Sequence, residues 1–482
     1  ALNTVNAGAG TVTLTLAAGA ITDNNGAGTL NLTAGLASLT GPAGINLDTD
    51  ITTLTAASAN AAITVRESNG LAVNTVNGGT GTVTLTLAAG GITDNNGAGT
   101  LNLTAGLASL TGPAGIDLDT AITTLTAAST NSAISIRESN AVALNTVNAG
   151  TGTVTLTLAA GAITDNNGAA TLNITAGLAD LTAPGGINTN TAVTQLTAAS
   201  TNAAISIRES NAVALNTVNA GAGTLTLTLA AGAITDNNGA GTLNLTAGLA
   251  SLTGPAGIDL DTDITTLTAA STNAAITIRQ AGSLALNTVN GGTGTVTLNL
   301  AAGALTDNNG AATLNITAGL ADLTAPGGIN TNTAVTQLTA ASTNAAISIR
   351  ESNAVALNTV NAGAGTLTLT LAAGAITDNN GAGTLNLTAG LASLTGPAGI
   401  DLDTAITTLT AASTNSAISI RESNAVALNT VNAGTGTVTL TLAAGAITDN
   451  NGAATLNITA GLADLTAPGG INTNTAVTQL TA

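Results

Sequence analysis

The chain has 482 residues, 44 % apolar content and a formal net charge of −18 at pH 7, yet it contains no Phe, Trp, Tyr, Met, Cys or His, and all six of its cations are Arg. This composition excludes an ordinary globular enzyme, and the negative charge argues against nucleic acid or an anionic membrane as a partner. Because only Asp, Glu, Ser, Thr and Arg remain as reactive side chains, we predict that the chain is not an enzyme and holds no cofactor.

One phrase, Asn-Thr-Val-Asn, recurs every 71 residues without insertion or deletion. Self-similarity at a fixed period predicts a repeat architecture in which each unit stacks on its neighbours. We therefore predict one continuous solenoid over residues 1–482. Its repeats are 1–71, 72–142, 143–213, 214–284, 285–355, 356–426 and the incomplete 427–482.

Within the first repeat, apolar residues alternate with Thr or Asn, as in Thr11-Val12-Thr13-Leu14. A period of two predicts strands, and the frequent Thr, Val, Asn and Gly disfavour helices. Gly, Asn, Asp or Pro separates most of the runs, as turns require. The predicted strands are 2–5, 11–16, 20–23, 29–33, 36–40, 45–48, 51–55 and 62–67.

The way these strands close follows from the period. Separate β-sandwiches would need larger units and linkers, whereas 71 residues without a linker favour a parallel β-solenoid whose coils pair with one another. Taking Leu14, Leu32 and Leu54 as equivalent inward positions predicts three coils per repeat. Four shorter coils stay open as an alternative.

Several carboxylates alternate along one strand, which is an arrangement that can offer oxygen ligands to calcium. The calcium candidates are Asp48, Asp50, Asp259, Asp261 and Asp263. The equivalent segment 187–191 carries Asn and Thr instead, so a merely polar edge is the competing interpretation. No other metal site is predicted.

An Asn-x-Thr sequon recurs with the period, on a strand face that we expect to be exposed. The competing interpretation is an ordinary strand face, since outward Asn and Thr two residues apart are common in strands. The possible glycosylation sites are Asn31, Asn102, Asn173, Asn244, Asn315, Asn386 and Asn457.

The stretch ITVRESNGLAVNTVNGGTGTVTLTLAAGGITDNNGAGTLNLTAG at 63–106 resembles the repeats of filamentous-haemagglutinin-like large exoproteins of Gram-negative bacteria, which are two-partner-secretion adhesins. The resemblance extends over the whole chain. It implies a right-handed parallel β-helix, secretion across the outer membrane and a role in adhesion or surface filaments. The family's secretion domain, a signal peptide and a cell-binding tip are not seen, so the chain is expected to be an internal repeat region of a longer protein.

Two functions follow as hypotheses. The first is a structural fibre or stalk segment of a giant extracellular, cell-surface protein, with other copies or further repeats as partners. The second is a repetitive ligand-binding rod that uses one uniform face for calcium, ice or the glycans of a host or neighbouring cell. Outward Thr residues motivate the ice hypothesis, although Thr is also a favoured outward residue of strands. Neither hypothesis includes membrane insertion of this segment.

Overall fold

The computed structural model describes all 482 residues as an all-β, parallel β-solenoid. It contains no helix that could cross a membrane. The strands in the first half of the chain are β1 Val5–Asn6, β2 Thr11–Thr15, β3 Ile21–Thr22, β4 Leu32–Thr40, β5 Ile45–Ala57, β6 Ile63–Glu67, β7 Leu71–Asn77, β8 Thr82–Leu87, β9 Ile92–Asp94, β10 Leu103–Thr111, β11 Ile116–Ala128, β12 Ile134–Glu138, β13 Val142–Asn148, β14 Thr153–Leu158, β15 Ile163–Asp165, β16 Ile174–Thr182, β17 Ile187–Ala199, β18 Ile205–Glu209, β19 Val213–Asn219, β20 Thr224–Leu229 and β21 Ile234–Asp236. The remaining strands are β22 Leu245–Thr253, β23 Ile258–Ala270, β24 Ile276–Gln280, β25 Leu284–Asn290, β26 Thr295–Leu300, β27 Leu305–Asp307, β28 Ile316–Thr324, β29 Ile329–Ala341, β30 Ile347–Glu351, β31 Val355–Asn361, β32 Thr366–Leu371, β33 Ile376–Asp378, β34 Leu387–Thr395, β35 Ile400–Ala412, β36 Ile418–Glu422, β37 Val426–Asn432, β38 Thr437–Leu442, β39 Ile447–Asp449, β40 Ile458–Thr466 and β41 Thr475–Thr481.

The chain forms two compact units. Unit 1 comprises Ala1–Gly239 and Asn244–Gly248, and unit 2 comprises Ala240–Leu243 and Leu249–Ala482. Each unit is built from the same succession of six strands per repeat, so the description below uses pairings inside one unit at a time.

Strands overlap all eight predicted runs, but with different bounds. The run 2–5 belongs to a strand only at Val5, and only residues 32–33 of the run 29–33 belong to β4, which continues through 36–40. The runs 45–48 and 51–55 form the single strand β5. β5 is long enough to pair on two sides of the coil, since its first five residues pair with β6 and its last five pair with β7. Neither strand has a turn between its halves. Thr49 to Ile51, in the middle of β5, pair with β4, and Gly35 in β4 lies between paired residues of the same ladder.

The core consists of inward side chains stacked from coil to coil. In unit 1, Leu47 pairs with Val65, Val65 with Leu85 and Leu85 with Leu110, and all four are buried. In this stack each buried aliphatic side chain therefore lies on another one, and its burial contributes about 1.5–3 kcal/mol per residue relative to an exposed side chain. An aromatic ring in such a stack would need matched space in the neighbouring coils, which agrees with the composition.

The expected three coils per repeat is wrong, because the pairing gives three and a half. In unit 1, seven successive strand pairings lead from β5 through β6, β8, β10, β11, β13 and β15 to β17, and β5 and β17 begin at Ile45 and Ile187, the same sequence position two repeats apart. Unit 2 shows the same seven strand pairings from β23, which begins at Ile258, to β35, which begins at Ile400. Consecutive repeats are therefore out of phase by half a turn, and equivalent strands of neighbouring repeats lie on different sides of the coil.

The inward alignment of Leu14, Leu32 and Leu54 is also wrong. Leu14 pairs with Leu39, and Leu32 pairs with Thr49. The separation of paired residues varies from 17 for Leu110 and Ala127 to 27 for Val147 and Ile174, because loops of different length leave the coil at its corners. A fixed spacing between leucines therefore does not report the register.

Two backbone positions depend on residue type. A Cβ on Gly35 would lie 2.2 Å from the carbonyl oxygen of Ala9, so only glycine allows this approach of neighbouring coils. Asn60 adopts a left-handed conformation with φ of 61°, and its Oδ1 accepts a hydrogen bond from the backbone N of Thr80 at 2.9 Å. Asn serves well here because it tolerates positive φ and its side chain bonds to the next coil.

Candidate functional site: the arginine sites

Each of the first six repeats places one arginine beside the loop that follows a Thr-Asp-Asn-Asn-Gly turn. We call each of these places an arginine site and define it in the first repeat by Asp23, Leu30, Asp48, Arg66 and Glu67. A surface recess of about 290 Å³ lies there, between the loop and the outer side of the next coils. Recesses of about 470 and 340 Å³ occupy the equivalent places in the fourth and fifth repeats. The recess is thus a feature of the repeat and not of one location.

In the acidic version of the site, the arginine binds carboxylates on the preceding strand. Arg66 donates from Nε and Nη2 to the two carboxylate oxygens of Asp48, at 2.8 and 2.9 Å, and from Nη1 to Asn46. Arg137 likewise contacts Asp119 at 3.0 Å and Asp117 at 2.6 Å. These charge-assisted bonds raise the pKa of the Arg66 guanidinium, chiefly through the hydrogen bond to Asp48.

In the amide version, found around Arg208 and Arg350, an asparagine replaces the central aspartate. Asn190 accepts from Arg208 Nε through Oδ1 and donates from Nδ2 to Asp165 Oδ2 and to the carbonyl oxygens of Gly168 and Thr171, each at 3.0 Å. The same side chain therefore ties the arginine and the turn loop together directly. In the acidic version the corresponding carboxylate, Asp119, cannot donate to the turn, so of this pair only the arginine reaches the turn aspartate, at 3.6 Å between Arg137 and Asp94.

The sequon asparagines are buried, so their expected exposure is wrong. Asn31 is 0 % exposed, and its Nδ2 donates to Asp23 Oδ1 at 2.9 Å and Asn25 Oδ1 at 2.6 Å. Its Oδ1 accepts from the backbone N of Asp48 at 2.9 Å. The folded chain thus presents no accessible acceptor at this position, because the side chain fixes the turn loop. The other members, all buried in the same way, are Asn102, Asn173, Asn244, Asn315, Asn386 and Asn457.

The turn aspartate holds this arrangement together. Asp23 Oδ1 accepts from the backbone N atoms of Asn25 and Gly26 as well as from Asn31. These bonds, first the one from Asn31, lower the pKa of the Asp23 carboxyl. The equivalent Asp94 has its pKa lowered too: burial opposes the shift, and the bonds from Asn102 and the turn amides outweigh it.

The calcium candidates lie in different surroundings from those that a calcium site would need. Asp48 and Asp261 are buried and bonded to arginine, and Asp259 is bonded to Arg279 at 2.6 Å. Asp50 accepts from Asn69 Nδ2 at 2.9 Å. Asp263 is exposed, and no group of three or more His, Cys, Asp or Glu residues converges in a metal-binding geometry. The alternating aspartates of one strand therefore serve as partners of cations and amides, and calcium binding at them stays a prediction.

A buried glutamate follows five of the six arginines, and the sequence interpretation overlooked it. Glu67 is 2 % exposed and has no cationic partner, while its Oε2 accepts from Thr49 Oγ1 at 2.7 Å and from the backbone N of Ile51 at 3.0 Å. Burial raises the pKa of this carboxyl, and it raises the pKa of Glu209 to about 7. Ile63, Val65 and Glu67 alternate along one strand and point to the same, inward face. This alternation is the sequence signal from which the burial of the glutamate could have been predicted.

The fourth repeat carries a natural neutral substitute for this carboxylate. Gln280 accepts from Thr262 Oγ1 at 2.7 Å and from the backbone N of Ile264 at 3.2 Å, as the glutamates do. Its Nε2 additionally donates to the carbonyl oxygen of Ile264 at 2.8 Å. The pocket therefore accommodates a neutral amide with every polar group bonded.

Comparison with known proteins gives one match. A family described as repeats of unknown function (DUF5649) matches residues 201–274 and 343–416. No curated protein and no solved structure matches the chain. The two matched segments begin 142 residues apart, which is the distance over which the strand pairing returns to the same side of the coil.

Proposed function

We propose that this chain is a structural segment of an extracellular or cell-surface fibre, a shaft that spaces other parts of a larger adhesin-like exoprotein. The observation that carries the proposal is uniformity: the repeats share the same succession of strands and buried side chains, each of the first six carries an arginine site, and none contains an insertion of its own. A shaft needs repeated cohesion and surface solubility, which the aliphatic ladder and the charge of −18 provide. The resemblance to filamentous-haemagglutinin-like repeats supports the same function, the location outside the cell and secretion across the outer membrane.

The absence of lysine and aromatic residues also suits a chain exposed to proteases. Trypsin would have six sites, and Arg66 is held within a strand that pairs on both sides and through its own head group. We expect the native chain to resist trypsin under conditions that digest it completely after denaturation. Native fragments that end at several arginines would contradict a tightly paired shaft.

The decisive experiment for the proposed function combines location and shape. Antibodies raised against the purified chain are applied to intact and to permeabilised source cells, and the bound material is imaged by electron microscopy. We expect labelling of intact cells on filaments whose axial repeat is about 34 Å, since seven coils of about 4.8 Å make two sequence repeats. Labelling only after permeabilisation would contradict the proposal.

The alternative function is repetitive ligand binding at the arginine sites, and the recess beside each one favours it. Identical sites would bind a polyvalent ligand weakly at each place and strongly overall. Binding of glycans, calcium or ice is tested on the purified chain with a glycan array, calcium titration calorimetry and thermal hysteresis. Saturable binding that weakens in Arg137→Ala and is lost when all six arginines are replaced by Ala would support this function, and no binding in any of the three assays would contradict it.

A further inference from the structure

We propose that Asn69 is a site of spontaneous deamidation in the native protein, selected by the fold from ten Asn-Gly pairs in the chain. The other nine pairs begin at Asn25, Asn77, Asn96, Asn167, Asn238, Asn290, Asn309, Asn380 and Asn451. Asn-Gly is the sequence most prone to this reaction, because glycine has no side chain to hinder attack by its backbone nitrogen. The inference goes beyond the structural function, since it marks one repeat as chemically different from the others.

The reaction requires a free glycine nitrogen. Gly70 N, after losing its proton to solvent base, attacks Asn69 Cγ, and the Cγ–Nδ2 bond breaks so that ammonia leaves. Water then opens the resulting succinimide at either carbonyl, which gives aspartate or isoaspartate. The net change is one amide and one water converted to one carboxylate and one ammonium ion, with no oxidant or reductant.

The fold blocks this attack at the seven Asp-Asn-Asn-Gly turns. In the second repeat, Gly97 N donates to Asp94 Oδ1 at 3.0 Å, so the nucleophile is turned away and keeps its proton. Asn96 is held as well, because its Nδ2 donates to Asn74 O at 2.6 Å and its Oδ1 accepts from Asn102 at 2.7 Å. Gly26, Gly168, Gly239, Gly310, Gly381 and Gly452 each donate to the aspartate of their own turn in the same way.

The fold also blocks the attack at Asn77 and Asn290. Gly78 N donates to the carbonyl oxygen of Thr104 at 2.9 Å, and Gly291 N donates to Thr317 O at 2.9 Å. Asn77 Oδ1 in addition accepts from the backbone N of Gly79 at 2.9 Å, which fixes its side chain.

Asn69 differs from all nine in the nitrogen that follows it. Gly70 N has no hydrogen-bond acceptor, and both Asn69 and Gly70 are exposed on the turn between β6 and β7. The Asn69 side chain is held only through Nδ2, which donates to Asp50 Oδ1 at 2.9 Å and to Ser68 Oγ at 3.2 Å. These contacts leave its Oδ1 without a hydrogen-bond partner on an exposed side chain, next to a glycine nitrogen that is also unbonded.

The chain itself provides the matched control. Four repeats carry Ala where Gly70 stands, at Ala141, Ala212, Ala354 and Ala425, each after an asparagine. A Cβ on Gly70 would meet its nearest atom at 3.6 Å, an ordinary contact, and Gly70 does not have positive φ. Gly70→Ala is therefore expected to fold normally and to slow the attack by steric hindrance.

The experiment incubates the full native chain at mildly alkaline pH, denatures it, and maps it with trypsin and mass spectrometry. Cleavage after Arg66 and Arg137 leaves Asn69, Asn77 and Asn96 on one peptide, so fragmentation compares the three directly. We expect Asn69 to deamidate at least an order of magnitude faster than the other two, and Gly70→Ala to remove the difference. In the urea-unfolded chain, the three rates should converge.

Equal native rates at the three positions, or faster reaction at Asn77 or Asn96, would overturn the proposal. So would an unreactive Asn69 in a native chain whose unfolded form reacts. A selective reaction at Asn69 that persists unchanged in Gly70→Ala would also overturn it, because the attacking nitrogen would then not be the determinant. Deamidation would place a carboxylate against Asp50, and the segment around β6 and β7 should then exchange amide hydrogens faster.

Discussion

The acidic arginine site at Asp119 and Arg137 and the amide site at Asn190 and Arg208 lie in consecutive repeats of unit 1, with the same strands and different chemistry. In the acidic site, one arginine faces three aspartates, and Asp119 Oδ2 is buried without a hydrogen-bond partner. In the amide site, Asn190 donates to the turn loop and no buried polar atom lacks a partner. The difference shows that the aliphatic ladder sets the fold, and that buried polar groups outside this ladder can be exchanged when each donor finds an acceptor.

The largest effect is expected from removing the buried asparagine that both sites share. Asn102→Ala would leave the buried backbone N of Asp119 without its acceptor at 2.8 Å and would remove the donor at 2.9 Å from the Asp94 carboxylate, whereas Val73 O keeps its bond from the backbone N of Asn95. Since a buried unsatisfied group costs about 1–3 kcal/mol and a hydrogen bond to a charged group contributes about 1.5–3 kcal/mol, we expect a local destabilisation of about 3–5 kcal/mol. Hydrogen exchange of residues 94–120 measures it.

The amide site should lose more in the equivalent substitution, Asn173→Ala, because Thr189 Oγ1 also donates to Asn173 Oδ1 at 3.2 Å. Asn140→Ala is the control, since Asn140 lies on an exposed turn. Equal and small effects in all three variants would show that the buried asparagines are not what fixes the turn loops.

The second effect concerns pH and the buried glutamates that both sites contain. The pKa of Glu209 is raised from 4.5 in the unfolded chain to about 7, mainly by burial, so its folded state binds the proton more tightly. Its contribution to stability is therefore complete below about 4.5 and is lost as the pH rises through about 7. The lowered pKa of Asp165 acts in the opposite sense, with stability lost as the pH falls below the ordinary value of 3.8.

Replacing the segment at Glu209 by the neutral segment of the fourth repeat separates the pH effect of the glutamate from that of the aspartate. The variant Glu209→Gln with Ser210→Ala and Asn211→Gly copies the segment Gln280-Ala281-Gly282, whose amide bonds to Ile264 O. We expect it to gain about 2–3 kcal/mol at pH 8 and little at pH 5, measured by local hydrogen exchange at both pH values. A gain of equal size at both pH values would mean that packing, not the carboxylate, is responsible.

Much of the fold could be predicted from the sequence, and the predictions that were wrong have physical causes. The period-two alternation and the constant 71-residue spacing predicted strands and a solenoid, because both reflect side-chain parity and stacking directly. The coil number was not accessible, because corner loops make paired residues 17 to 27 positions apart and Gly35 permits a continuous β4. The burial of Asn31 could not be predicted, because it depends on a loop that folds over the side chain and not on the alternation along the strand. The inward position of Glu67 could have been predicted, because Glu67 continues the alternation of the inward residues Ile63 and Val65.

A third, smaller effect is expected from converting the acidic site to the amide one. Asp119→Asn provides an Nδ2 that can donate to Asp94 Oδ2 as Asn190 Nδ2 donates to Asp165 Oδ2 at 3.0 Å. We expect a gain of about 1 kcal/mol and a weaker dependence on salt, because one of three carboxylates around Arg137 is removed. The reverse substitution, Asn190→Asp, should loosen the loop 166–172. Salt-dependent hydrogen exchange of the two loops checks both, and a loss of stability in Asp119→Asn would mean that the ion pair outweighs the loop contact.

The smallest effect on stability is expected where the two sites do not differ. Leu101 in the acidic site and Leu172 in the amide site are 42 % and 40 % exposed at the rim of their loops. Exposed substitutions away from caps and cores change stability by about 0.5 kcal/mol or less, so Leu101→Ser and Leu172→Ser should unfold like the parent chain. Because consecutive repeats differ by half a turn, these leucines lie on different sides of unit 1, so each would provide its own lateral contact between copies. Sedimentation at increasing concentration compares the parent chain, the two single variants and the double variant. Reduced self-association of the double variant, with each single variant intermediate, would identify the leucines as a contact between shafts. Identical sedimentation of all four chains would show that they form no such contact.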